Sequence, residues 1–173
     1  MDKIFEEGNL RFDFTAFLNV IKFDSESFQG MKAVDFFAEN TDTLYFIEVK
    51  DYQHPNAPEA RRLEDYNNLV KASMENDALF NLEIGGKIKD SLLRKYAEGE
   101  KFEKDVVFIL FINMDKLLMP ERGLLMTKII GHVPTDLKKE RFCAFSSIAF
   151  ELVNAEQLTR HGITCTEKQR VII

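Results

Sequence analysis

The chain has 173 residues, with 45% hydrophobic side chains, 16 Phe, 8 Gly and 4 Pro, a composition that excludes a disordered chain and fits one globular domain able to hold a core without staples. A formal net charge of -6 and a pI near 5.2 argue against a broadly basic nucleic-acid surface, leaving only a local strip for that role. No run approaches the ~18 consecutive apolar residues of a membrane helix, so no membrane is expected. The acidic start MDKIFEEGNLRF lacks the pattern of a secretory leader, and with only Cys143 and Cys165 a reducing, cytoplasmic setting is expected.

Residues 1–8 read as one or two helical turns, with Ile4 and Phe5 apolar and Glu6 and Glu7 polar, stopped by Gly8 and Asn9. Leu10 to Phe23 is rich in Phe, and its second half reads as a strand. Asp24 to Gly30 is turn chemistry. Met31 to Ala38 and Thr43 to Asp51 read as the second and third strands, joined through Glu39 to Asp42.

After Tyr52, Asn56 offers an N-cap and Pro58 sits in the first turn of a helix in which Leu63, Tyr66, Val70 and Met74 recur at helical spacing. A second helix from about Lys87 to Ala97 carries Ile88, Leu92, Leu93 and Tyr96 as an apolar stripe, and Gly99 stops it. Asp105 to Asn113, DVVFILFIN, is apolar throughout its middle, as in a strand covered on both faces. Reaching it through helices implies a crossover into parallel pairing. Residues 120–131 read as a short helix starting at Pro120, Phe142 to Val153 as a late strand, and Asn154 as the cap of a brief helix through Arg160. With no repeat or linker, the expectation is a single α/β domain over 1–173, a mixed central sheet flanked by helices.

Charges inside apolar strands are costly unless they are paired or hold a metal. Alternation puts Leu44, Phe46, Glu48 and Lys50 on one side of the third strand and Tyr45, Ile47 and Val49 on the other. Asp35 lies opposite Glu48 if Asn40 faces Thr43 across Thr41 and Asp42, which brings the two Cβ atoms to about 5 Å. Two such carboxylates offer hard oxygen ligands to Mg²⁺ or Mn²⁺, and the backbone carbonyl of Val49 adds a third. Lys50 beside the metal is suited to orient or deprotonate a water and to counter charge on phosphate. The bland competitors are a surface hairpin with a weak ion pair and a buried salt bridge without metal. His54, His132 and His161 lack zinc-site spacing. Lys87, Lys89, Arg94 and Lys95 form the most basic local cluster, readable as a phosphate-contacting strip or as a solvated helix face.

Asp35, twelve intervening residues and then Glu48-Val49-Lys50, on a hairpin followed by helices and a buried strand, resembles the PD-(D/E)XK nuclease superfamily over roughly residues 1–113. The resemblance implies a restriction-endonuclease-like αβββαβ core, with Asp35 and Glu48 as metal ligands and Lys50 as the catalytic lysine. Val34 stands where the superfamily's name places Pro. Many members carry a further acidic residue on the first helix, a place only Glu6 or Glu7 can fill here. The function expected from these residues is a Mg²⁺-dependent nuclease acting on DNA or RNA. The alternative is a noncatalytic protein with the same core that binds a protein partner, or pairs with itself as a homodimer through an exposed sheet edge.

Overall fold

A computed structural model describes residues 3–25, 30–138 and 147–168. Five strands form a mixed sheet: β3 (Asn19–Lys22), β4 (Phe36–Glu39), β5 (Thr43–Asp51), β6 (Asp105–Asn113) and β7 (Ile148–Val153), in that spatial order. β4 runs antiparallel to both β3 and β5, whereas β6 is parallel to β5 and β7 parallel to β6. Helices α1 (Glu59–Met74) and α2 (Leu79–Ala97) provide the crossover from β5 to β6, and α3 (Met119–Ile130) the one from β6 to β7. The chain is thus a mixed α/β protein, as its alternating strand and helix patterns imply.

The N-terminal segment differs from the expected helix. Ile4–Glu7 is a strand, β1, hairpinned to β2 (Leu10–Asp13), which pairs in turn with β8 (Thr164–Glu167) near the other end of the chain. Four residues are too few to display a helical or strand period, and pairing with distant β8 decides the conformation. This small sheet and α4 (Ala155–Leu158), capped by Asn154, cover one face of the central sheet. There Phe12, Phe14 and Phe36 meet with centroids 5.4 to 6.3 Å apart.

The helices cover the other face, where Phe46 meets Phe37 edge-on and Phe108 at a tilt, with ring centroids 5.2 Å from each. The buried side of α1 is Leu69, Ala72 and Ser73 rather than the expected stripe, since Leu63 and Met74 are exposed; α2 likewise buries Ile88 and Leu92 but exposes Leu93 and Tyr96. Asn81 fixes the α1–α2 corner by donating to the carbonyls of Ala72 and Glu75 at 2.8 and 2.7 Å. Gly99 ends α2 with φ of +92°, a conformation available to glycine at little cost. Residues 26–29 of the expected turn and 142–146 of the expected late strand, with Cys143, lie outside the described residues. Among the described residues no helix is long and apolar enough to cross a membrane.

Candidate functional site

Strand β4 starts at Phe36, later than the Met31 of the sequence reading, because α2 side chains rather than a sheet ladder hold the lead-in. Asp90 Oδ2 accepts the Lys32 amide at 2.9 Å and Ser91 Oγ accepts the buried Val34 amide at 3.0 Å. Beyond that lead-in, the β4–β5 register pairs Phe36 with Ile47 and Glu39 with Leu44. Asn40 closes the hairpin by donating its amide hydrogen to the Thr43 carbonyl at 3.0 Å, while its side chain accepts the Asp42 and Thr43 amides. Continued by one step, this register sets Asp35 across from Glu48, on the helix-covered face.

Both carboxylates are buried, Asp35 at 6% and Glu48 at 3% exposure. Asp35 Oδ2 accepts the Val49 amide hydrogen at 2.5 Å. Burial and the neighbouring Glu48 charge push the Asp35 carboxyl up to about 7, against the opposing pull of Lys87 and the Val49 amide. Glu48 Oε1 meets Lys50 Nζ at 3.1 Å and Lys87 Nζ at 2.7 Å, while Glu48 Oε2 is buried with no hydrogen-bond partner. Lys50 also pairs with Glu83 Oε1 at 3.1 Å. Burial alone would lower the Lys50 pKa, but Glu48 and Glu83 outweigh it and hold the ammonium above its ordinary value. Lys50 and Glu83 line a cavity of about 430 Å³ beside α1 and α2, together with Tyr52, Arg61, Asp65 and Phe80; Asp35 and Glu48 are not part of its lining.

The other sequence candidates scatter. Glu6 and Glu7 stand on β1, not on a helix: Glu6 pairs with Lys168 at 2.7 Å, outside the cluster, and Glu7 with Lys22 at 2.7 Å. Glu7 is near enough for its charge to raise Asp35 slightly. Val49 lies between Glu48 and Lys50 on β5 and pairs with Phe111 of β6. Within the basic cluster, Lys87 turns inward to Glu48. Arg94 and Lys95 pair with Glu98 and lie over the Phe23 and Phe37 rings at 4.0 and 4.3 Å. Lys89 is exposed. These four therefore do not present one free cationic strip to solvent.

Glu83 is the site residue that the sequence does not single out, because the expected helix begins at about Lys87, eight residues after the observed start at Leu79. Its signal is the Glu83–Lys87 spacing of four, which aligns the two on one helix face. The donor set is sparse: among the described residues no group of three or more His, Cys, Asp and Glu side chains is arranged to hold a metal. Two opposed carboxylates with a buried, unpartnered oxygen nevertheless fit a Mg²⁺-type cation, which keeps several waters and takes few protein ligands. Comparison with known proteins finds no matching family model, no matching curated protein and no matching solved structure, so chemistry is assigned to this site from its own geometry.

Proposed function

We propose that the protein is a Mg²⁺- or Mn²⁺-dependent phosphodiester hydrolase, a nuclease with a restriction-endonuclease-like core, working on DNA or RNA in the cytoplasm. The observation that carries this reading is the register that opposes Asp35 and Glu48 while Lys50 projects from the same face two residues on. The order of three antiparallel strands, helices and a parallel strand also supports it. Fold alone would not assign the chemistry.

Asp35 and Glu48 would hold the cation, with Glu48 Oε2 the oxygen lacking any other partner. When bound, the ion supplies Lewis-acid polarisation of a phosphate oxygen and acidifies a water. Lys50 is kept protonated by Glu48 and Glu83, so its role is to orient the attacking water and donate to phosphate oxygens rather than to remove a proton. It is also the cationic group that the cluster presents to the cavity, the natural approach for a phosphate. The test is hydrolysis of varied single- and double-stranded DNA and RNA with Mn²⁺. Cleavage lost in Asp35→Asn, Glu48→Gln and Lys50→Met is expected; substrates left intact at high protein concentration would refute the catalytic reading.

A second reading is favoured by one contact. The Lys87 ammonium lies 2.7 Å from Glu48 Oε1, where a metal ligand would need to be available. A core that permanently neutralises its own carboxylates suits a noncatalytic protein acting through a protein partner or a homodimer. Partner binding or self-association unchanged in the Asp35, Glu48 and Lys50 triple variant, with no cleavage by wild type, would favour it.

A further inference from the structure

Glu48 holds a second ammonium because its first, Lys50, is shared with Glu83. Lys50 lies 3.1 Å from Glu48 Oε1, and Lys87 reaches the same oxygen at 2.7 Å. Glu83, one turn earlier on α2, stands at the spacing where Glu followed by Lys pairs along a helix. Glu83 instead holds Lys50, and the Lys87 charge contributes to lowering the Glu83 pKa. Lys87 therefore has three carboxylates within reach of its charge, Asp35 and Glu48 at the sheet and Glu83 on its own helix.

We infer that Lys87 is a displaceable counter-cation: its ammonium occupies Glu48 while no metal is bound, and a divalent cation arriving at Asp35 and Glu48 sends it to Glu83, releasing Lys50 toward the phosphate. This rests on the metal reading of the Asp35–Glu48 pair. A carboxylate 3% exposed is expensive to keep without a cation, which explains why Lys87 is drawn in. A divalent cation held by the same carboxylate would repel the ammonium, and the lysine stem, 18% exposed, carries several rotatable bonds through which it can move. Once Lys87 reaches Glu83, Lys50 no longer needs that carboxylate. Metal binding and the arming of Lys50 then become one event.

The test compares Mn²⁺ binding, from the electron paramagnetic resonance signal of the free ion, in wild type and Lys87→Gln, with thermal unfolding read in both. If Lys87 holds Glu48 about nine-tenths of the time, its removal tightens Mn²⁺ about tenfold, because apparent affinity scales with the competent fraction. Lys87→Gln should also unfold at lower temperature without metal and recover with Mn²⁺, whereas Lys87→Arg should keep wild-type affinity. Equal Mn²⁺ affinity in wild type and Lys87→Gln, abolished in each by Glu48→Gln, overturns the exchange and leaves the metal site standing. No Mn²⁺ binding by either protein overturns the metal site and the exchange with it. Should Lys87→Gln fail to fold, acylation of Lys87 in wild type, read by mass spectrometry, decides: reactivity that rises with Mn²⁺ supports the exchange, and unchanged reactivity refutes it.

Discussion

Asp35 Oδ2 accepts the amide hydrogen of Val49 at 2.5 Å, so a side chain continues the β4–β5 pairing where the ladder itself ends. The bond anchors Asp35 beside Glu48 but leaves two acidic groups in a poorly solvated place. Burial and then the Glu48 charge raise the Asp35 pKa from 3.8 to about 7.

That shift fixes the sign of a pH effect. The folded protein holds the Asp35 proton more tightly than the unfolded chain, so this contribution is fully present below about pH 4 and is lost as pH rises through 7. At about 1.4 kcal/mol per pH unit, its upper size is about 4 kcal/mol. Asp35→Asn keeps an acceptor for the Val49 amide and cannot ionise. Urea unfolding across this range should show a flatter stability profile for the variant, and a slope identical to wild type would contradict the assignment.

Glu48 and Lys87 should be energetically coupled. Glu48→Gln leaves Lys87 without its carboxylate and Lys50 with Glu83 alone, and should cost near the low end of ~3–5 kcal/mol, since both lysines keep some access to water. Lys87→Met alone leaves Glu48 with Lys50. A double-mutant cycle should return a coupling of about 0.5–3 kcal/mol, and additive effects would mean that the 2.7 Å contact contributes nothing to stability.

On the helix-covered face, Phe46 is 1% exposed and touches Phe23, Phe37 and Phe108. Phe46→Ala should destabilise by about 3–5 kcal/mol through lost burial and a residual cavity, measured by calorimetry or denaturant.

Adjacent glycines on α2 should respond in opposite directions. A Cβ on Gly85 would lie 2.5 Å from His132 Cβ and 3.1 Å from its carbonyl oxygen, so Gly85→Ala forces α2 away from the end of α3 at a cost of about 1–3 kcal/mol. A Cβ on Gly86 meets nothing within 4 Å, and Gly86→Ala should stabilise by about 0.5–1 kcal/mol through helix propensity. Melting temperatures of the two variants check the contrast.

The hairpin was readable because strand parity and a two-residue loop permit one register that buries its apolar faces, and β5 and β6 announce themselves by strand-length apolar runs. β1 was not readable, since its conformation depends on β2 and on β8 far along the chain. The helix stripes were misplaced for a related reason: periodicity shows that a face exists, but the sheet beneath selects Leu69 and Ala72 over Leu63 and Met74. Asp35, Glu48 and Lys50 stood out because charge is unusual in apolar strands. Glu83 and Lys87 did not, because charge on a helix is ordinary and their reach across to β5 is a tertiary fact.

Glu83, Lys87, Asp90 and Ser91 follow one another at intervals of four, three and one along α2, a single stripe that faces the sheet. The first two hold the charges of β5 and the last two hold the strand leading to Asp35. That helix therefore acts as a common ruler for the two arms of the hairpin. A slide of α2 by a fraction of a turn would shift the counter-charges and the Asp35 anchor together.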